Sequence, residues 1–130
     1  MNTMTTKQRQ TKYCQAIDRQ MQSIGHASNA ELLKCLHESF PKLSSTTVHR
    51  VTARLSSRGI IKVAPPKQDG SMRYDANTEA HDHFQCLSCG LLRDTNIKNK
   101  VIPILESNID GCKISGQLTI NGLCNKCAKL

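Results

Sequence analysis

Two Cys-x-x-Cys pairs constrain this chain more than any other feature of its sequence. Cys86 and Cys89 form one pair, Cys124 and Cys127 form the other, and 34 residues lie between them. Two intervening residues let the backbone turn back on itself, so each pair can place two sulfurs around one tetrahedral ion. The pattern predicts one structural Zn²⁺ per chain, closed to substrate by its four thiolates. A redox dithiol and unpaired cysteines are the alternatives.

The cysteine content and the apolar segments of the sequence indicate the cellular compartment. The chain has seven cysteines, no opening apolar stretch like a signal peptide and no run of roughly 18 apolar residues that could span a membrane. We therefore expect a cytoplasmic protein, in which thiols stay reduced and free to bind metal. Cys14, Cys35 and Cys112 lack such partners, and we interpret them as core or free thiols.

Positive charge is concentrated in the first part of the chain. Residues 1–75 hold 12 Lys and Arg against 5 Asp and Glu, whereas residues 76–130 hold 6 against 5. A basic bias confined to one region suggests a polyanion partner. Nucleic acid is favoured over a membrane, because no basic amphipathic segment carries large aromatic anchors. The simpler alternative is a basic surface that serves solubility alone.

The same region has helical periodicity. A first helix is indicated by Cys14, Ile17, Met21 and Ile24, and it should stop near Gly25. Residues 28–31 have the capping-box pattern of a second helix, which we expect to end at Phe40-Pro41. A third helix opens at Ser44-Ser45, buries Val48, Val51 and Leu55, and closes at Arg58-Gly59.

Two strand-like runs follow, "IIKV" and "SMRYD", with turn-forming residues between them. Three helices and a hairpin are the order of a winged helix-turn-helix, which lays its last helix in the major groove of DNA. Arg50, Arg54 and Arg58 form one stripe on that helix, and small polar residues stand at its start. The candidate DNA contacts are Ser45, Thr46, Thr47, His49, Arg50, Arg54 and Arg58. A merely solvated charged face is the alternative.

The rest of the chain reads as a small α+β domain. Alternating positions predict a strand with one buried face over Cys112, Ile114, Leu118 and Ile120. Val101, Leu105 and Ile109 predict a helix, and we expect Pro103 in its first turn.

Histidines 81 and 83 suggest a second metal site. In an extended segment both point the same way and Asp82 points the other way, so the two imidazoles can share an ion. Asp75, Asp94 and His26 are candidates for the further ligands, and a mixed His and carboxylate set suits Fe(II), Mn(II) or Zn(II). The alternatives are surface polar residues and a zinc enzyme, although a nearby Glu base is lacking.

These motifs resemble the ferric uptake regulator family of metal-responsive bacterial repressors over nearly the whole chain. The matching segments are "GHASNAEL", "SSTTVHR", "RYD", "HDHFQCLSCG", "RD" and "GLCNKC". The resemblance implies structural zinc on the four cysteines and a regulatory metal between a DNA-binding and a dimerisation domain. The regulatory ligands would be His26, Asp75, His81, His83 and Asp94.

This three-histidine, two-aspartate set is most similar to the peroxide-sensing branch of the family. That likeness implies Fe(II) or Mn(II), and oxidation of His26 or His81 by peroxide would loosen the DNA-binding shape. His49 stands where the family has a tyrosine and Thr52 where it has a leucine, which bears on base preference. Members with a second regulatory site use histidines at the positions of Ala80 and Gly116, so we expect one site.

Together these inferences describe a homodimeric repressor of operator DNA with no enzymatic activity. Its expected parts are a winged-helix domain at 1–76, a hinge with metal ligands at 77–83 and a zinc-bearing dimerisation domain at 84–130. An iron, zinc or manganese uptake regulator of the same family is one alternative. A zinc-stabilised DNA-binding module without sensing is another.

Overall fold

The structure is a computed structural model that describes residues 6–129, with side chains from residue 12 onward. The expected domains also include residues 1–5 and Leu130, which lie outside the described residues. The chain groups into two units that divide between Thr78 and Glu79. Among the described residues there are four helices and two three-stranded sheets, which confirms the α+β class.

The first unit has the predicted order of three helices and a hairpin. Its elements are α1 (Thr6–Ile24), β1 (His26–Ser28), α2 (Asn29–Leu36), α3 (Ser45–Ser57), β2 (Lys62–Ala64) and β3 (Arg73–Asp75). Strands β2 and β3 form the antiparallel wing. Strand β1, which periodicity did not indicate, pairs with the other side of β3 and places His26 opposite Asp75.

Helix boundaries follow local chemistry. Helix α1 ends before Gly25, which has a φ of 84°, a left-handed conformation that glycine adopts without strain. The predicted capping box is confirmed, since the Ser28 hydroxyl accepts from the Glu31 amide and the Glu31 carboxylate accepts from the Ser28 amide. The expected end of the second helix at Phe40-Pro41 is wrong. Helix α2 ends at Leu36, because residues 37–39 form a turn that brings the helix end ahead of Phe40, the residue that Pro41 keeps out of helical geometry.

The apolar faces of the three helices meet in one core. Its buried members include the predicted Ile17, Met21, Val48, Val51 and Leu55, together with Leu32, Leu36 and Ile61. Ile24 is 41% exposed and lies outside the core. Burial of one face of α3 leaves its opposite face, with the arginine stripe, in solvent.

The second unit is built on a small mixed sheet. Its elements are β4 (Asp82–Cys86), β5 (Leu92–Thr95), α4 (Lys98–Ser107) and β6 (Thr119–Gly122). Strand β4 is central, antiparallel to β5 and parallel to β6.

Two expectations for this unit are wrong. The strand expected from Cys112 to Ile120 is confined to β6, and Gly116, with φ of 80°, interrupts the preceding segment. Pro103 stands well inside α4 rather than in its first turn, and Ile109 lies beyond the helix end. Helix α4 tolerates the proline because none of its residues is buried, so water can reach the Asn99 carbonyl that loses its amide partner.

No helix within residues 6–129 has both the length and the apolar character needed to cross a membrane.

Candidate metal centres and nucleic-acid interface

The sheet of the second unit brings the two cysteine pairs together. Cys86 ends β4 and lies opposite Gly122 of β6, so the residues after both strands emerge side by side. The Leu87 amide donates to the Gly122 carbonyl at 2.8 Å and holds the two segments. In the resulting cysteine cluster, the four sulfurs of Cys86, Cys89, Cys124 and Cys127 lie within 4.8 Å of one another.

Electrostatics within the cysteine cluster favour a cation. The Cys89 amide donates to the Cys86 sulfur and, with the Cys124 amide, lowers the pKa of Cys86 to about 6. The Cys127 amide likewise lowers the pKa of Cys124. The Cys127 thiol hydrogen-bonds to Cys124, which raises the pKa of Cys127 to about 12. Backbone amides thus stabilise negative charge on Cys86 and Cys124, and four sulfurs this close together can hold a divalent cation.

The first unit contains a two-residue ligand group, His26 and Asp75. The strand pairing of β1 with β3 sets them opposite each other, and His26 Nε2 lies 3.4 Å from Asp75 Oδ2. The other carboxylate oxygen, Oδ1, accepts from the Asn77 amide at 2.9 Å. Asp75 is 1% exposed, so this hydrogen bond orients a buried carboxylate, as ligands to metals commonly require.

The second unit contains a three-residue ligand group, His81, His83 and Asp94. His83 and Asp94 are direct partners in the pairing of β4 with β5. One oxygen, Asp94 Oδ1, lies 3.2 Å from His81 Nε2 and 3.5 Å from His83 Nε2. The two imidazole rings are 4.5 Å apart between centroids. Two nitrogens and a carboxylate oxygen therefore converge inside one unit.

The orientation of His81 suits a metal ligand. Its Nδ1 lies 2.6 Å from the Glu79 carbonyl oxygen, which can only accept, so Nδ1 carries the hydrogen. In the neutral ring this leaves the lone pair on Nε2, the atom that faces Asp94. A backbone carbonyl that sets the tautomer in this way is typical of histidines that bind metal.

Asp82 stays out of the three-residue group, as the strand alternation predicted. Its Oδ1 accepts from the Leu118 amide at 3.0 Å, and the side chain is 2% exposed. Asp82 therefore ties β4 to the segment that leads into β6.

Helix α3 presents most of the predicted DNA contacts to solvent. Ser45, Thr46, His49, Arg50, Arg54 and Arg58 are exposed and Thr47 is half-buried. The Ser44 hydroxyl caps the helix by accepting from the Thr47 amide at 3.2 Å. A positively charged face thus runs along a helix that is anchored by its opposite side.

Sequence reasoning missed Asn29, which joins two residues of α3. Its Oδ1 accepts from the Thr52 hydroxyl at 2.8 Å, and its Nδ2 lies 3.2 Å from His49 Nδ1. A signal was present, because Thr52 interrupts the apolar face of α3 and a buried hydroxyl needs a partner. Of the isolated cysteines, Cys14 packs against the core while Cys35 and Cys112 are exposed.

Comparisons with known proteins give a consistent result. The model of the Ferric uptake regulator family matches residues 1–114. The peroxide operon regulator of Bacillus subtilis (strain 168) is 29% identical over 109 residues, covering 82% of this chain and 74% of the relative.

Two solved structures share the fold. The Helicobacter pylori ferric uptake regulator has a TM-score of 0.72 at 22% identity, covering 92% of this chain and 81% of that chain. The Campylobacter jejuni peroxide stress regulator has a TM-score of 0.67 at 21% identity, covering 92% of this chain and 91% of that chain. The family whose model matches is one of regulators by name, which favours regulation over the zinc-enzyme alternative. Since the family match spans most of its length, the chain belongs to the ferric uptake regulator family of metal-responsive transcriptional regulators.

Proposed function

We propose that the protein is a homodimeric, metal-gated repressor that binds operator DNA in the cytoplasm and responds to peroxide. The observation that carries this proposal is the presence of two complementary ligand groups. The first unit supplies His26 and Asp75, and the second supplies His81, His83 and Asp94.

Neither ligand group alone supplies enough ligands for one ion, whereas an ion that binds both groups would be nearly fully coordinated. Mn(II) favours about six ligands in octahedral geometry, and Fe(II) is often held by histidines and carboxylates together. Two or three protein ligands leave such an ion half-coordinated, whereas five nearly complete its sphere. The donor set of three imidazoles and two carboxylates favours Fe(II) or Mn(II), with Zn(II) as the competitor.

In this proposal each part of the chain has a separate role. Residues 1–76 read DNA, residues 77–83 form a hinge with metal ligands, and residues 84–130 pair with a second copy. Zn²⁺ on the cysteine cluster stabilises the second unit. Support for pairing comes from large apolar side chains that this unit leaves exposed, namely Leu87, Ile104, Leu105, Ile109, Ile120 and Leu123.

Gating is mechanical in this proposal. The two recognition helices of a dimer must lie about 34 Å apart to enter successive major grooves. An ion bound by both ligand groups holds each DNA-binding unit at one angle to its dimerisation unit, and loss of the ion releases that angle. By linkage, operator DNA tightens metal binding by the factor with which metal tightens DNA binding.

DNA contacts divide along α3. Ser45, Thr46, Thr47 and His49 lie in its first turns, where such helices meet base edges. Arg50, Arg54 and Arg58 follow along the exposed face and contact phosphates, which set position without reading sequence.

Peroxide sensing adds a chemical step at the same ligands. Bound Fe(II) would supply the redox chemistry that breaks the O–O bond of hydrogen peroxide; one oxygen would replace a ring C–H hydrogen of the His26 or His81 imidazole to give the oxo form, and the other would leave as water. An oxidised imidazole binds the metal more weakly, so the ion no longer fixes the angle between the two units. The protein then releases the operator. Mn(II) would hold the same shape without this reactivity.

The proposal is tested by operator binding with Fe(II), Mn(II) and Zn(II) in turn, before and after peroxide, with mass spectrometry on the histidine peptides. We expect tight binding with Fe(II) and Mn(II), and loss after peroxide in the Fe(II) form alone, with one added oxygen on His26 or His81. Binding that is equally tight without any regulatory metal would support the zinc-stabilised module instead. Metal-dependent binding that survives peroxide would support an uptake regulator.

Asp94→Asn separates gating from folding. Asp94 is partly exposed, so the variant should fold normally and lose metal-dependent operator binding. Glu38→Gln is the matched control, because Glu38 is an exposed carboxylate outside both ligand groups. Full metal-dependent affinity in the Asp94→Asn protein would remove this residue from the gate.

A further inference from the structure

A short polar chain runs from the interior of the first unit to the exposed face of α3. It starts at the Thr52 hydroxyl, which donates to Asn29 Oδ1 at 2.8 Å, and continues from Asn29 Nδ2 to His49 Nδ1 at 3.2 Å. Thr52 is fully buried and Asn29 is 9% exposed, whereas His49 is exposed. The interior therefore controls how a surface imidazole is oriented.

Hydrogen-bond directions along this chain determine the tautomer of His49. The single hydrogen of the Thr52 hydroxyl has three oxygens within reach, namely Asn29 Oδ1 at 2.8 Å, the Val48 carbonyl at 3.0 Å and the His49 carbonyl at 3.2 Å. Donation to the nearest of them, Asn29 Oδ1, leaves the other end of the amide, Nδ2, facing the ring. An amide nitrogen has only hydrogens to offer, so His49 Nδ1 must accept. A neutral imidazole carries a single N–H, which is then on Nε2.

We propose that His49 reads a guanine of the operator through this Nε2–H donor, and that Asn29 and Thr52 are positioning residues that hold the donor tautomer. This inference rests on the proposed DNA-binding function and names one base that it recognises. His49 stands in the early turns of α3, the part of a recognition helix that meets base edges in the major groove.

Guanine is the base that suits a lone donor best. Its major-groove edge presents two adjacent acceptors, N7 and O6. Adenine pairs its one acceptor with an amino donor, thymine pairs its acceptor with a methyl group, and cytosine presents an amino donor. A ring with Nε2–H should therefore favour guanine and reject cytosine most strongly.

The same hydrogen-bonded chain links two polar residues of α3 through the first residue of α2. Asn29 contacts the side chains of both His49 and Thr52. A buried amide without partners would be destabilising, and the Thr52 hydroxyl, which also has the Val48 carbonyl at 3.0 Å, is the donor that Asn29 Oδ1 accepts from. These three residues thus form one unit, which supports a common role at the DNA face.

The tautomer is tested without DNA, by NMR of protein with ¹⁵N-labelled histidine. We expect the Nε2–H form for His49 in the wild type and a mixture of both forms in Thr52→Val, because Asn29 is then free to turn its amide. Ser57→Ala is the matched control, since Ser57 is an exposed residue on α3 whose hydroxyl donates to the Arg54 carbonyl of the same helix. An Nδ1–H form in the wild type, or a Thr52→Val spectrum identical to wild type, would overturn the positioning role.

Base reading is tested by selecting sites from a randomised duplex pool with Mn(II)-loaded full-length protein. At one position of each half-site, His49→Ala should lose about fivefold in its preference for guanine over cytosine, the effect of one hydrogen bond. His49→Gln should keep part of the preference, because its amide also offers a donor, and Ser57→Ala should match the wild type.

Two outcomes would contradict the proposal in different ways. Selective binding with the same base preferences in wild type and His49→Ala overturns the role of His49 alone. A protein that selects no sequence with Fe(II), Mn(II) or Zn(II) overturns the proposed function, and base reading by His49 with it.

Discussion

Replacing one cysteine of the cysteine cluster should unfold the second unit while the first stays folded. Among the described residues of the second unit, Leu92 is the one buried aliphatic side chain, and α4 buries none. Full burial of one leucine contributes about 1.5–3 kcal/mol. A structural zinc site contributes about 10–16 kcal/mol in small zinc-binding domains. The metal term therefore dominates, and Cys86→Ser should remove most of it.

Amide hydrogen exchange provides the assay, because it reports on each unit separately. In Cys86→Ser we expect loss of zinc and loss of protection in β4 and β5, with protection in α1 and α3 retained. Cys112→Ser is the matched control, since Cys112 is an exposed thiol of the same unit outside the cluster. Wild-type zinc content and protection in the Cys86→Ser protein would refute the reasoning.

Further effects are expected in the first unit. Ser28→Ala should lower the free energy of unfolding by about 1 kcal/mol in urea titrations, because it removes the cap of α2; an unchanged midpoint would count against the capping role. Burial raises the pKa of Glu31, but hydrogen bonds from Ser28 and the charge of Lys67 outweigh it and lower the pKa overall. The ionised Glu31 carboxylate therefore stabilises the folded state at pH values above 4.5, its ordinary pKa. This stabilisation is lost as the pH falls through the lower pKa of the folded protein, so Glu31→Gln should flatten the acid limb of the stability curve. Arg54→Ala should reduce the slope of log affinity against log salt by about 0.9, whereas Arg93→Ala, in the second unit, should leave it unchanged; equal slopes would remove Arg54 from the phosphate contacts.

The first unit was predictable because its sequence pattern and its packing agree. Its helices bury one face, so apolar spacing reports directly on structure at residues such as Ile17 and Val48. Caps and glycines marked the boundaries for the same local reasons. Strand β1 was not predicted, because an alternating pattern cannot be recognised in three residues.

Hydrophobic spacing failed in the second unit because few of its apolar side chains are buried within one chain. Ile120 is 39% exposed although it continues the alternating pattern that suggested a long strand. An alternating apolar pattern indicates that one face of a segment is buried. That face can be buried against a second copy of the chain, as proposed here, and not only within one chain. Metal ligands were easier to identify, since Cys and His spacing reflects coordination chemistry rather than packing.

The Asn29 link illustrates a different limit. Capping preferences explain Ser28 and Glu31 from neighbours in sequence, whereas Asn29 acts on residues more than a helix away. Only the packing of α2 against α3 brings those side chains within hydrogen-bonding distance. Threonine on an apolar face was the hint, but its partner could not be named from spacing.

Counting the histidine nitrogens around bound Mn(II) by pulsed electron paramagnetic resonance tests most directly whether one ion takes ligands from both units. We predict a single Mn(II) per chain with three histidine nitrogens, falling to two in His26→Ala and to two in His83→Ala. His37→Ala, at an exposed histidine outside both ligand groups, should keep three. Two histidine nitrogens in the wild type, unchanged by His26→Ala, would place the ion on the second unit alone and contradict the account.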